Sequence, residues 1–180
     1  MTMICMTAPP SPALLAVVAE VEGHVREAGW DQAPQLFALV DTEELLRAEP
    51  QLAESMGLVA TRPGSLTPIA QDDLGDASLD EQLASMVFGP EVLGVVLVHE
   101  VLVLPPSAEA SLDDAADPSL AAAEHPDRRE VRMAVGVMRD GSRESLLRLR
   151  APSTETEDDL VTGGDLTPGL ADALYATLEQ

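Results

Sequence analysis

The 180-residue sequence contains no lysine, one cysteine, one Trp, one Tyr and two Phe. The absence of lysine excludes the Walker-type phosphate loop, the pyridoxal Schiff base and a lysine general base, because each of them needs that side chain. Cys5 on its own cannot form an intramolecular disulfide, which fits a reducing compartment. With so few aromatic residues, the core must be built from Leu, Val, Ala and Met, and little is left to stack on bases.

Long apolar runs are also missing from the sequence. The longest, LLAVVA and GVVLV, are much shorter than a membrane span. The first residues, MTMICMTAPPSP, lack the positive charge and the long apolar region of a signal peptide. We therefore expect a cytoplasmic protein that does not bind membranes, with a flexible leader over residues 1–10 and a single domain over residues 11–180.

Positive charge is scarce and concentrated in one stretch. The net charge is −22, yet seven of the ten arginines lie within residues 128–150. Because only three acids accompany these seven arginines, the stretch carries +4 and the rest of the chain carries −26. A field of that sign repels phosphate backbones, and we expect no nucleic-acid partner.

Helix signals occur near the start, in the middle and at the end of the chain. Ser11 is a suitable N-cap, and Leu and Val residues follow it at helical spacing until Gly29, which can end the helix. Asp41 and Ser78 each form a capping-box pattern with a glutamate three residues later. Thr167, which precedes a proline, predicts a C-terminal helix.

Strand signals fall between these helices, and they predict an α+β fold. The Val-rich or alternating segments are residues 35–40, 93–104, 130–138 and 143–150. SLTPIAQ is a candidate edge strand, because Pro68 excludes a central position. We predict a mainly antiparallel, four- to five-stranded sheet packed by N-terminal, middle and C-terminal helices. Acidic segments near residues 105–127 and 152–162 are predicted to be mobile loops.

The last two predicted strands form a hairpin whose register depends on its loop length. A loop of two or four residues would place Met133 opposite Arg148. A three-residue loop, Arg139 to Gly141, instead places Met133 opposite Leu147 and keeps one face apolar. It also puts Gly141 where a left-handed residue is needed. We predict the three-residue loop.

The other face of this hairpin carries Arg132, Arg148 and Arg150. These arginines could pair with carboxylates of the acidic loops or helices, each exposed pair contributing ~0 to 1 kcal/mol. Alternatively they could bind a carboxylate- or phosphate-bearing partner, because the guanidinium fork suits those groups. Trp30 and His125 are further candidates for such a site. For Trp30 the alternative is a plug between the first helix and first strand, and for His125 it is a surface or capping role.

The sequence contains no recognisable pattern of a catalytic or metal site. His24, His99 and His125 are far apart and lack zinc-finger spacing. The acidic clusters lack the residue order of a calcium loop, and no G-x-S-x-G elbow occurs. We therefore predict no catalytic residues, no metal site and no cofactor.

Three stretches resemble an uncharacterised family of small acidic proteins from high-GC actinobacteria. They read AGWDQAPQLFALVDTEELL, HPDRREVRMAVGVMRDGSRESLLRLR and LTPGLADAL. The resemblance covers most of the chain and is weakest in the acidic segments. It implies an actinobacterial source and a cytoplasmic setting. The use of Arg and the absence of Lys agree with a high-GC source. The resemblance assigns no catalytic residues.

We expect a non-enzymatic protein-interaction or regulatory module that has a protein partner or forms homo-oligomers. The alternative is a small anionic-ligand-binding or enzymatic domain that uses the arginine-bearing sheet face. A concave pocket with unpaired guanidinium donors would favour the alternative. A filled, salt-bridged surface with an exposed apolar patch would favour the interaction module.

Overall fold

The structure is built around a six-stranded antiparallel sheet. The computed structural model describes residues 11–59, 62–71, 74, 77–151, 157–164 and 166–179. The strands are β1 (Gln35–Asp41), β2 (Leu66–Ala70), β3 (Gly94–Val103), β4 (Arg129–Met138), β5 (Arg143–Leu149) and β6 (Asp159–Gly163). Their order in the sheet is β2-β1-β3-β4-β5-β6. The α+β class and the antiparallel sheet are confirmed, and the sheet has one or two strands more than predicted.

The described residues form seven helices, four of which begin at the predicted caps Ser11, Asp41, Ser78 and Thr167. They are α1 (Pro12–Glu27), α2 (Thr42–Ala48), α3 (Pro50–Ser55), α4 (Leu79–Ser85), α5 (Pro106–Leu112), α6 (Pro118–Glu124) and α7 (Pro168–Ala176). The side chains of Ser11, Asp41 and Ser78 each accept a hydrogen bond from the backbone N–H three residues later, at 3.0–3.3 Å. These bonds satisfy amide groups that the first turn of a helix leaves without a partner.

The hairpin of β4 and β5 has the predicted register. Met133 pairs with Leu147, and Arg132 pairs with Arg148. Gly141 occupies the left-handed position of the three-residue loop, with φ +89°. Because side chains alternate along a strand, this register places the two arginines together on one face of the sheet.

Helices cover both faces of the sheet. On the α1 face, the buried cluster consists of Leu14, Val17, Val18, Val21, Val25, Phe37, Leu39, Val96, Val98, Ala134 and Leu146. On the α7 face, which α4 also covers, it consists of Leu36, Ala38, Leu83, Val92, Val95, Leu97, Val135, Val137, Ala171, Leu174 and Leu178. α1 packs so closely on β4 that a Cβ at Gly136 would lie 2.5 Å from Val18 Cγ2. A larger residue at that position would force the side chains of Leu14 and Val18 to shift.

Arg139, in the hairpin loop, connects that loop to the C-terminal end of the chain. Its Nε donates to the carbonyl oxygen of Val92 at 2.7 Å, and its Nη2 donates to those of Phe88 and Gly89 at 3.0 and 2.7 Å. Its Nη1 donates to the carbonyl oxygen of Leu178. A guanidinium group has five N–H donors, so one side chain satisfies four carbonyl groups.

Two segments predicted to be acidic loops contain regular structure. Residues 105–127 contain α5 and α6, and each of these helices begins at a proline. The fixed φ of proline suits the first position of a helix. Residues 159–162 belong to β6, a strand too short to show a recognisable alternation in the sequence. The prediction of continuous loops is therefore wrong at these places. Residues 152–156 and the predicted leader, residues 1–10, lie outside the described residues.

Candidate functional site

Arg132, Arg148 and Arg150 converge at one end of the α1 face. Arg132 and Arg148 are cross-strand neighbours in β4 and β5, and Arg150 follows directly after β5. The Arg132 side chain is fully buried, and that of Arg150 is 38% exposed. The apolar cluster of this face ends at Ala134 and Leu146, so the arginines occupy the part of the face where that cluster stops.

Glu22 of α1 lies between two of these arginines. Its Oε1 is 2.7 Å from Nε of Arg148, and its Oε2 is 2.9 Å from Nη2 of the same residue. Its Oε1 also lies 3.6 Å from Nη1 of Arg132. The Glu22 side chain is only 2% exposed, and a buried carboxylate needs cationic partners. The two guanidinium groups supply them, with Arg148 in the strong bidentate arrangement.

Glu100 of β3 contacts Arg132 from the other side. Its Oε1 accepts hydrogen bonds from Nε and Nη2 of Arg132 at 3.3 and 2.9 Å. Its Oε2 accepts from the backbone N–H groups of Asp31 and Gln32 at 2.7 and 3.1 Å. Asp31 has a φ of +66°, a left-handed conformation in which Asp is enriched. Glu100 therefore fixes the connection between α1 and β1 to the sheet.

Trp30, in the same connection, packs against two of the arginines. The Cζ of Arg132 is 4.6 Å from the centroid of the indole ring, and the Cζ of Arg150 is 5.4 Å from it. Both distances lie within the range of cation–π attraction. Arg132 also donates from Nη2 to the carbonyl oxygen of Gly29. Trp30 therefore lies against the guanidinium groups of Arg132 and Arg150.

Arg150 forms the outer, more exposed part of the cluster. Its Nη1 is 2.5 Å from Oε2 of Glu130 and 3.7 Å from Oδ1 of Asp31. The hydrogen bond to Glu130 raises the pKa of Arg150, and the hydrogen bond to Glu22 raises the pKa of Arg148. Both guanidinium groups are thereby held in their charged form. We call this set of residues the arginine network: Glu22, Trp30, Glu100, Glu130, Arg132, Arg148 and Arg150.

The arginines of the network are paired with carboxylates of the same chain. These carboxylates come from α1, β3 and β4 rather than from the segment that follows β3. In the part of the chain that the structure describes, Nη1 of Arg132 is buried without a hydrogen bond, and the Glu22 carboxylate at 3.6 Å faces it as an ion pair. The arrangement can hold α1 and its connection in one position on the sheet. Nothing in its geometry activates a base or a nucleophile.

His125 is the one candidate residue that is not recorded in contact with the network. It follows the last residue of α6, and its Nδ1 accepts a hydrogen bond from the backbone N–H of Asp127 at 3.1 Å. Its carbonyl oxygen accepts from Nη1 of Arg128 at 3.2 Å. These contacts stabilise a local turn. Ligand binding by Trp30, His125 or the three arginines stays a prediction.

Glu22 and Glu100 were not predicted from the sequence as partners of the arginines. Glu22 carries a readable signal, because it follows Leu14 and Val18 at four-residue spacing on the buried side of α1. A charge on such a stripe is rarely buried unless it is paired. Glu100 carries no comparable signal, because its position opposite Arg132 depends on how β3 and β4 pair.

The outer edge of β6 is the second surface with a possible function. Leu160 is 50% exposed and Val161 is 44% exposed, and they lie on opposite faces because adjacent side chains of a strand alternate. Among the described residues, β6 pairs with β5 alone. This edge therefore combines exposed apolar side chains with backbone groups that no described strand satisfies.

The described ranges contain neither a cluster of metal-binding side chains nor a membrane-spanning helix. No group of three or more His, Cys, Asp or Glu side chains is arranged there to hold a metal ion. No helix in those ranges has both the length and the apolar character needed to cross a bilayer.

Comparison with protein families identifies the chain's relatives. The family model described as PPA1309-like protein matches residues 14–179, a range that contains the whole sheet and all but the first two residues of α1. Neither the comparison with curated proteins nor that with solved structures finds a match. The resemblance to an uncharacterised family is thereby confirmed. Because the match covers well over half of its length, the chain belongs to the PPA1309-like protein family.

Proposed function

We propose that this protein is a non-enzymatic, cytoplasmic protein-interaction or regulatory module. The observation that carries the proposal is the edge of β6, where apolar side chains on both faces are exposed beside backbone groups with which no described strand pairs. Large exposed apolar side chains and open strand edges are unfavourable in a free protein and are commonly used to bind other chains.

The arginine network supports the same proposal, because its charges are already neutralised. A ligand anion at Arg132 or Arg148 would have to displace Glu22, and the buried carboxylate would then lose its partners. Such a loss costs ~3–5 kcal/mol, which weak anion binding does not recover. The network is therefore better suited to positioning α1 than to binding a substrate.

The amino-acid composition supports a cytoplasmic setting. The chain uses Arg to the exclusion of Lys, as expected for a high-GC actinobacterial source, and Cys5 is its one cysteine. Small acidic α+β proteins such as secretion chaperones bind other chains, an analogy that holds at the level of fold class alone.

Affinity purification of the tagged full-length chain from an extract of its own cells tests the proposal. Co-purifying proteins and small molecules are identified by mass spectrometry. Leu160→Ser removes an apolar side chain from β6, and Val87→Ser, in the segment after α4, is a control of similar exposure at 56%. We expect a protein to co-purify with the wild type and Val87→Ser and less with Leu160→Ser. The proposal fails when no protein, or a small anion alone, co-purifies.

A second candidate function is the binding of a small anion, or catalysis on one, at the arginine-bearing face. The observation that favours it is Nη1 of Arg132, a buried donor without a hydrogen bond among the described residues. Thermal denaturation with citrate at low ionic strength tests it. A rise in Tm for the wild type that Arg150→Gln abolishes would support this function, and an unchanged Tm would count against it.

A further inference from the structure

We infer that the edge of β6 binds an extended, basic segment of a partner protein as an additional strand of the sheet. The inference rests on the proposed function, and it specifies how the partner binds and what its chemistry is. It combines the direction of the backbone groups in β6, the difference between the two sheet edges and the distribution of charge.

The hydrogen bonds of β5 determine which groups of β6 face outward. The N–H of Arg150 donates to the carbonyl oxygen of Glu130 at 2.9 Å. Because the bonding direction alternates along an antiparallel strand, the even-numbered residues of β5 bond to β4 and the odd-numbered residues bond to β6. Leu147 pairs with Val161 in the register of β5 and β6. The backbone N–H and C=O of Val161 therefore point toward β5.

Leu160 and Thr162 consequently direct their backbone N–H and C=O groups away from the sheet. Both residues are exposed, and no described strand pairs with this side of β6. An added strand can therefore form up to four hydrogen bonds with these two residues. Its side chains would lie beside Leu160 on the α1 face and beside Val161 on the α7 face, where cross-strand apolar pairs add further stability.

The two edges of the sheet differ in their ability to accept a strand. At the opposite edge, β2 carries Pro68 in its centre, paired with Leu39 of β1. Proline has no N–H to donate, and natural proteins use it to block pairing at an edge. β6 contains no proline and reads Asp-Leu-Val-Thr-Gly. Strand addition is therefore favoured at β6.

The charge near β6 selects a basic partner. Glu157, Asp158 and Asp159 stand at the start of the strand. The side chain of Asp159 is 80% exposed, and its ion-pair partner, Arg129, is at the outer distance of 4.0 Å. A second copy of this chain would bring the same acids and another net charge of −22 to the edge. Like charges repel, so a segment with Lys or Arg beside apolar residues fits better than a second copy.

A matched pair of variants tests the backbone hydrogen bonds. Thr162→Pro removes the outward N–H and leaves the bonds of Val161 to β5, whereas Thr162→Ala removes the side chain and retains that N–H. The probes are fluorescent peptides of alternating Val and Lys or alternating Val and Glu, and anisotropy reports their binding to the full-length chain. We expect the Val–Lys peptide to bind the wild type and Thr162→Ala alike and Thr162→Pro about tenfold more weakly, and the Val–Glu peptide not to bind.

Amide hydrogen exchange of the unaltered chain provides a second readout that does not depend on the folding of a variant. We expect the amides of Leu160 and Thr162 to exchange quickly in the free protein and slowly with the Val–Lys peptide. The amide of Val161 should be protected in both states. Equal affinities for Thr162→Pro and Thr162→Ala, or unchanged exchange at Leu160 and Thr162, would overturn the inference.

The two proposals fail in different ways. If a protein co-purifies with the chain and both variants at Thr162 bind it equally, the interaction function stands and strand addition at β6 is wrong. The absence of any co-purifying protein contradicts the proposed function, whatever the peptides do. Binding of the Val–Glu peptide as tightly as the Val–Lys peptide would remove the requirement for a basic partner.

Discussion

The two faces of the sheet are formed by the same strands, but they hold their helices differently. On the α7 face the buried contact is apolar, with Val95, Val137 and Leu174 fully shielded from solvent. On the α1 face the apolar contact ends at Ala134, and the arginine network continues it. Hydrophobic burial is non-directional, whereas a bidentate ion pair has one geometry. The comparison suggests that the α7 face supplies mainly stability and that the network defines the position of α1.

The largest effect is expected from breaking the network at its shared carboxylate. Glu22→Ala leaves Arg132 and Arg148 buried without their common partner, and we expect the free energy of unfolding to fall by ~3–5 kcal/mol. Urea denaturation followed by circular dichroism measures it. Glu20→Ala, at an exposed position of the same helix, is the control and should change stability by less than about 0.5 kcal/mol. A loss below about 1 kcal/mol for Glu22→Ala would contradict the description of these charges as mutually dependent.

A comparable loss is expected on the apolar face. Leu174→Ala in α7 removes a side chain that is fully buried, and the lost burial together with the cavity should cost ~2–5 kcal/mol. The same denaturation experiment measures the change, with the exposed Leu120→Ala as the control. If Leu174→Ala costs no more than that control, α7 does not contribute to the stability of the sheet.

Replacing the ion pairs as a group sharpens the comparison. In the quadruple variant Glu22→Leu, Glu100→Gln, Arg132→Met and Arg148→Met, no buried charge is left without its partner, because Glu100 loses its charge together with Arg132. We expect its free energy of unfolding to lie within about 1 kcal/mol of the wild type, because apolar groups of similar size replace buried ion pairs at little cost. The wild type should give a single, well-dispersed set of amide NMR signals around Trp30. Loss of that single set in the variant would show that the network determines one conformation. A quadruple variant no more stable than Glu22→Ala would assign the network a stabilising role.

The smallest effect concerns His99 of β3. Partial burial lowers the pKa of this imidazole below the ordinary value of 6.5, so the unfolded chain binds a proton at higher pH than the folded chain. Its contribution to stability is complete above pH 6.5 and is lost as the pH falls from there toward the lower pKa of the folded state. We expect His99→Gln to reduce the slope of stability against pH in the range just below pH 6.5. Parallel curves for the two proteins would show that His99 does not contribute.

The sheet could be predicted largely from local signals. The odd loop from Arg139 to Gly141 determines the hairpin register, and the strict alternation of β4 determines which side chains share a face. These are short-range constraints, since they act between residues close in sequence. β6 was not predicted, because five residues next to an acidic stretch show too little alternation. α5 and α6 were not predicted, because their acidic, Ala-rich composition resembles that of a loop.

The candidate site could be predicted in part. Alternation placed Arg132, Arg148 and Arg150 on one face, but their partners are distant in sequence. Glu100 reaches Arg132 through the pairing of β3 with β4, which no local pattern specifies. Trp30 reaches the same arginine because the chain turns sharply after it, where Asp31 adopts a positive φ. Such contacts follow from tertiary packing rather than from residue spacing.

The loop residue Arg139 has a consequence for how the chain can vary. Its four recorded partners are carbonyl oxygens, at Phe88, Gly89, Val92 and Leu178. Any amino acid presents a carbonyl group, so a substitution at one of these positions does not by itself remove the hydrogen bond to Arg139, although Val92 and Leu178 are also buried in the apolar cluster of the α7 face. The attachment of these segments therefore depends on the side chain of Arg139 and not on the side chains of the four residues that it holds.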